Sequence, residues 1–169
     1  MRRKRYLIAS IMALSVTVLK AQQQGPPPSV APGLEINRSE LIRKLNVYNA
    51  DYIFETAKTN DKFETIKSTN KSDVTTEIYG SENDVESAAC TFVFTTDTAA
   101  SKSGFIKLAG FVFALTEKPG LDWYFSQIKY MNENRTSSFT HTERFNYMRR
   151  LEFVFDPKNK YLKIRAVHL

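Results

Sequence analysis

The last part of the chain alternates apolar and polar residues with a period of two, and this pattern restricts it to β-strands. Residues 151–155 and 160–167 flank the stretch 156–159, whose aspartate, proline and asparagine favour a turn. A four-residue loop places Phe153 opposite Leu162 on the apolar face. The sequence therefore predicts a terminal β-hairpin that buries one of its faces.

The residues before this hairpin carry signals for further strands and for helices. Asn37 and Glu40 resemble a capping box, and apolar residues at helical spacing predict a helix from about Arg38 to Ala57. Further strands are predicted at Phe63–Ser68, Asp73–Tyr79, Ala88–Thr95 and 139–145. Because strands and helices come in runs, we expect an α+β fold, with an antiparallel sheet of about five or six strands and helices packed on one face.

Two helices are predicted between residues 97 and 134. Asp97 or Thr98 can cap the first, which is apolar nearly all round and is therefore expected to be central or covered by a partner chain. Gly110 within it predicts a close approach of another segment, since glycine is a poor helix former. Pro119 and Gly120 end this helix, and the second runs from Asp122 to about residue 134.

The N-terminus has the organisation of a secretory signal peptide. Four basic residues at 2–5 precede an apolar stretch at 6–19, and the small residue Ala21 follows. The alternative, a retained membrane anchor, needs about 20 apolar residues to cross a bilayer. We therefore expect a signal peptide at 1–21 and an exported protein, periplasmic or secreted, with no transmembrane segment after signal removal.

Composition divides the rest of the chain into a linker and one domain. The proline-rich stretch 22–36 predicts an extended linker, and 37–169 has the length of a single α+β domain. Loss of the five basic residues in 1–21 lowers the formal net charge from +6 to +1. This change removes the main support for a nucleic-acid partner, which a strongly basic domain would have indicated.

From Thr75 to Val167 the order of elements resembles that of a loose group of small exported bacterial proteins. The shared pattern is a strand ending in Gly80, a short acidic loop, a strand from Ala88, a long apolar helix, a helix whose start carries Trp123, and a terminal hairpin. The signal ending in Ala21 and Gln22 is similar to those of the Bacteroidota. The resemblance implies a fold but no activity, because these proteins have no assigned one.

The residues that could carry catalysis or bind a metal are few. Cys90 and His141 are the one candidate pair of nucleophile and base, but strand alternation places Cys90 beside Phe92 and Phe94 in the core. The two histidines have no partner at ligand spacing, and the acidic loop 82–86 lacks the calcium-loop pattern. Glycine-rich phosphate loops and the nucleophile elbow are missing. We therefore predict no catalytic, cofactor or metal site from motifs.

A basic cluster near the C-terminus is the remaining positive feature. Four of its members form a candidate anion-binding surface: Arg149, Arg150, Lys163 and Arg165. In the predicted hairpin register Arg150 faces Arg165, a like-charge pair that an anion would relieve. Two explanations stay open. The acidic residues of 22–100 could neutralise the cluster, or an external anionic envelope component such as a phosphorylated polymer or headgroup could bind it.

Two hypotheses of different class follow from these features. The first is an exported, non-catalytic envelope or secreted domain that binds or scaffolds a partner, such as an anionic envelope component or a protein, through its sheet face or apolar helix. The alternative is a small hydrolase whose site is assembled from scattered residues. A pocket lined by His141 beside a carboxylate would favour the enzyme, and a flat basic or apolar surface would favour binding.

Overall fold

The computed structural model describes residues 33–48, 53–59, 64–68, 73–146 and 149–169, which all belong to one compact unit. The expectations for the signal peptide 1–21 and for most of the linker fall outside these residues. The described elements follow in the order α1 Arg38–Tyr48, β1 Phe54–Thr59, β2 Glu64–Ser68, β3 Val74–Gly80, β4 Val85–Val93, α2 Thr98–Glu133, β5 Phe139–Phe145, β6 Arg149–Asp156 and β7 Tyr161–His168.

All the described strands join one antiparallel sheet with the order β1-β2-β3-β4-β7-β6-β5. Strands β1 to β4 form one meander and β5 to β7 another, and β7 pairs with β4 to unite them. The predicted α+β class, with an antiparallel sheet and helices packed against it, is confirmed. The described sheet has seven strands, because a strand forms where the sequence predicted the end of a helix.

Helix α1 is capped as the sequence predicts, but it ends earlier. The Asn37 side chain accepts a hydrogen bond from the Glu40 backbone N–H at 2.7 Å. The predicted helix continued to Ala57, whereas β1 begins at Phe54. Val47 and Tyr48 are already 68% and 45% exposed, so α1 leaves the core at its end and further turns would bury little apolar surface.

Helix α2 is two helices joined at Glu117, so the predicted break is present, but it comes before Pro119 and the second helix begins earlier than the predicted Asp122. Glu117 has non-helical angles, φ 58° and ψ −148°, and Pro119 lies in the first turn after it. We call residues 98–116 the first half and 118–133 the second half. Asp97 caps the first half by accepting from the N–H groups of Ala99 and Ala100 at 2.7 and 3.2 Å.

The core lies between one face of the sheet and the helices. Alternate residues of β3, β4, β6 and β7 face inward, and among them Phe92, Phe153 and Ile164 are fully buried. Tyr124 from the second half of α2 is also buried, and its hydroxyl donates to the Phe105 carbonyl at 3.0 Å. This bond crosses between the two halves of α2, so they pack side by side over the sheet.

Residues 33–36 belong to the domain, although the predicted linker included them. Leu34 is fully buried, and its N–H donates to the Val85 carbonyl at 2.7 Å. The acidic loop after β3 also holds this segment, because Asp84 accepts from the Gly33 N–H at 2.8 Å. Glu82 forms an ion pair with Arg38 at 3.3 Å. The acidic loop is solvent-exposed, and it also anchors the start of the domain.

The hairpin of β6 and β7 forms as predicted, but its register differs by two residues. Phe153 pairs with Ile164 rather than with Leu162, and the turn occupies residues 157–160. Asp156 ends the strand, and its carboxylate accepts from two backbone N–H groups of the turn at 3.0 and 3.1 Å. A register shift of two residues keeps each side chain on the same face of the sheet, so the residues predicted to face the core still do so.

Candidate functional site

An apolar groove runs between the two halves of α2. It has a volume of about 490 Å³, within the range of about 300–1,000 Å³ typical of ligand pockets. We call it the helical groove; its lining residues are Thr98, Ser101, Lys102, Phe105, Ile106, Ala109, Tyr124, Phe125 and Ile128. Ile106 and Phe125 are 55% and 58% exposed, so α2 presents two large apolar side chains to solvent at this groove.

The helical groove follows from how α2 is built. Because the first half is apolar nearly all round, it cannot bury every apolar side chain against the sheet. The break at Glu117 folds the second half back beside it, and Tyr124 closes the floor of the groove. Burial raises the pKa of the Tyr124 phenol far above its usual value, so this group stays a neutral hydrogen-bond donor.

A second depression adjoins the helical groove, and Phe105 lines both. It has a volume of about 370 Å³, and we call it the Met131 cleft; it is lined by Phe94, Phe105, Met131, Asn132, Arg135, Phe155 and Pro157. Arg135 donates to the backbone carbonyl and to the side-chain oxygen of Asn132 at 3.2 and 3.3 Å, which holds its guanidinium at the cleft.

Each depression contains one cation among otherwise apolar or neutral side chains. Lys102 lines the helical groove and Arg135 lines the Met131 cleft, and none of the described residues lining either is acidic. Within the described part of the chain no carboxylate forms an ion pair with Lys102. This combination of apolar wall and cation is complementary to a ligand that has an apolar chain and a negative group.

The structure does not bring the four residues of the predicted anion-binding surface together. Arg150, Lys163 and Arg165 lie on the outer face of the sheet, while Arg149 lies on the face that carries the helices. Glu152 lies between Arg150 and Arg165, at 3.0 and 3.8 Å from their guanidinium groups. An external anion on this face would have to compete with that carboxylate.

The like-charge pair also differs from the prediction. Arg150 pairs with Val167 on β7, so it does not face Arg165. Its like-charge neighbour is Arg144 on β5, and the hydrogen bond to Glu152 relieves the repulsion from within the chain. The predicted pairing of Arg150 with Arg165 is therefore wrong, and Glu152 offsets the charge of Arg150 without an external anion.

Arg149 instead forms hydrogen bonds within the domain. Its guanidinium donates to the carbonyls of Leu34, Glu35 and Leu115. In a regular helix the Leu115 carbonyl would accept from the N–H four residues on, but that residue is Pro119, which has none. The Arg149 guanidinium replaces this missing N–H donor, and its hydrogen bonds link residues 34–35 to the break in α2. Burial lowers the pKa of this guanidinium.

The candidate nucleophile and base do not meet. Cys90 is fully buried, and the Thr76 hydroxyl donates to its sulfur at 3.4 Å. His141 lies in the same row of the sheet but three strands away, which is about 14 Å at about 4.8 Å per strand. His141 Nδ1 lies 2.6 Å from the amide oxygen of Gln127 rather than from a carboxylate.

The sequence pattern indicated the apolar helix as a possible binding surface, but not the groove between the two halves of α2. Within the described residues no three or more His, Cys, Asp or Glu side chains are grouped to hold a metal ion. The helices among those residues are also too short or too polar to cross a bilayer. A comparison with protein families, with curated proteins and with solved structures gives no significant match.

Proposed function

We propose that this chain is an exported binding domain whose helical groove takes the apolar chain of a single-chain anionic amphiphile. The observation that carries the proposal is the exposure of Ile106 and Phe125 on either side of an apolar groove. Export rests on the signal-peptide pattern of 1–21, and intact mass of the isolated protein tests it. A mass that still includes Arg2 to Arg5 would contradict this part.

The charges around the groove support an anionic rather than a neutral ligand. Lys102 stands at the helical groove and Arg135 at the adjoining cleft, with no acidic lining residue among those described. An alkyl chain in the groove would cover Ile106 and Phe125, and each buried methylene contributes about 0.8 kcal/mol. The carboxylate or phosphate of the ligand would then lie near one of the two cations.

Isothermal titration with dodecanoate and with uncharged dodecyl maltoside, both below their micelle concentrations, tests the proposal. We expect saturable binding of dodecanoate at one site and weaker binding of the maltoside. Phe125→Ser should weaken both ligands at least about tenfold, because it removes an apolar wall. Lys102→Gln should weaken dodecanoate alone.

Val93→Ser is the matched control, because Val93 is 50% exposed but lies on β4, outside both depressions. It should leave both affinities unchanged. Absence of dodecanoate binding to the folded protein would contradict the proposal, and so would equal losses in the Phe125 and Val93 variants. If Lys102→Gln leaves the affinity for dodecanoate unchanged, the apolar groove is still the binding site but its preference for anions is contradicted.

A further inference from the structure

Strand β5 forms one end of the sheet, and no described strand pairs with its outer edge. It has seven residues in unbroken register with β6, without a bulge, proline or lysine. The strand at the other end, β1, has a bulge between Thr56 and Lys58 and contains that lysine. Bulges, prolines and lysines keep sheet edges from pairing with other chains, and β5 has none of them, although it carries the charged residues Glu143 and Arg144.

The sequence of β5 is self-complementary in an antiparallel arrangement. If two copies align over the whole strand about a two-fold axis at Thr142, Phe139 of one copy faces Phe145 of the other. His141 then faces Glu143, so a basic side chain meets an acidic one twice. The remaining pairs match threonine with arginine or with itself, and the register contains no like-charge pair.

The aromatic side chains at this edge are incompletely covered. Phe139 and Phe145 are half-buried, and Tyr130 of α2 is 40% exposed with its ring 4.9 Å from that of Phe139. At the other end of the strand, Trp123 packs edge-on against Phe145 at 5.7 Å. A two-fold axis at Thr142 would bring these two aromatic groups together, one from each copy, and cover both.

We propose that two copies of this chain form a symmetric dimer through antiparallel pairing of β5, which makes the two sheets continuous. The contact is isologous, so each copy contributes the same strand and the assembly closes at two. It leaves the helical groove outside the contact, because none of the groove residues lies on β5. The dimer therefore does not depend on the proposed function.

Sedimentation equilibrium of the isolated chain, whose N-terminus is identified by intact mass, tests whether the dimer forms. Variants that change the charges on β5 test its register. His141→Glu places Glu opposite Glu143 twice and should raise the dimer dissociation constant about tenfold. The double variant His141→Glu with Glu143→Lys restores opposite charges and should return most of the affinity. Thr140→Glu is the matched control, since Thr140 faces Arg144 in this register, and it should not weaken the dimer.

Hydrogen exchange gives a readout that does not depend on how well the variants fold. The amides of residues 139–145 in the natural chain should gain protection as its concentration rises, while those of β1 should not. A chain that stays monomeric at its solubility limit would overturn the proposal. A dimer that His141→Glu leaves unchanged, or concentration-dependent protection confined to other strands, would overturn it as well.

Discussion

Gly104→Ala tests how closely the first half of α2 approaches the sheet. A Cβ at position 104 would lie 2.5, 2.6 and 2.8 Å from three carbon atoms of the Phe92 ring. Ordinary carbon contacts are about 3.5–4.0 Å, so the ring or the helix must move by about 1 Å. Phe92 is fully buried and packs edge-on against Phe94 and Phe105, with centroids at 5.3 and 5.5 Å, so its movement would displace both.

Two effects of opposite sign determine how much Gly104→Ala changes the free energy of unfolding. Alanine is the better helix former by about 1 kcal/mol. Overpacking a dense core costs about 1–3 kcal/mol, and a contact this short places the cost in the upper part of that range. We therefore expect Gly104→Ala to lower the free energy of unfolding by about 1–2 kcal/mol. Gly110→Ala should lose less, because the nearest atom to its Cβ would be the Tyr48 Cβ at 2.9 Å, a longer contact than the three at position 104.

Urea denaturation at constant pH measures the difference, with the slope of the transition serving as a check on two-state behaviour. Ser103→Ala is the matched control, because Ser103 is the exposed neighbour in the same turn. This control should be as stable as the parent or slightly more stable. A Gly104→Ala protein at least as stable as the parent would refute the close packing of α2 on Phe92.

Three further predictions follow from individual side chains. Arg149→Met should lower the free energy of unfolding by about 1–3 kcal/mol in urea, because it deprives the Leu115 carbonyl of its donor, whereas exposed Arg165→Met should change it by less than about 0.5 kcal/mol. Hydrogen bonds from Asn159 and Lys158 hold the pKa of the Asp156 carboxyl below its usual value, so its stabilising contribution is present at neutral pH. That contribution is lost as the pH falls through this lowered pKa, and thermal melts should show less loss below about pH 4 for Asp156→Asn than for the parent. Cys90 should resist a thiol reagent in the native protein and react fully in denaturant, and rapid native labelling would contradict its burial.

Local patterns predicted the elements and the faces of the sheet well. Asn37 was identified as a helix cap and Asp97 as one of two candidates for another, and alternation placed Cys90 and Phe92 in the core, since caps and pleats are set by neighbouring residues. The β6–β7 register was missed because the Asp156 side chain moves the turn by one residue. A shift of that kind depends on a specific hydrogen bond rather than on periodicity.

The candidate site was harder to predict because it depends on tertiary contacts. Arg149 and Arg150 are neighbours in sequence, and the alternation of a strand places them on opposite faces, which a simple count of basic residues ignores. The anchoring role of Arg149 depends on Pro119 and on Leu34, which only the folded chain brings near it. The helical groove likewise requires the two halves of α2 to fold against each other.

Isoleucine methyl NMR on the folded protein, titrated with dodecanoate, shows whether the ligand occupies the helical groove. Ile106 and Ile128 line the groove, whereas Ile78 and Ile164 lie fully buried on the sheet side of the core. Binding in the groove should cause saturable shifts of the Ile106 and Ile128 methyl resonances with little change at Ile78 and Ile164. Saturable shifts confined to other methyl groups, or none at any isoleucine, would contradict it.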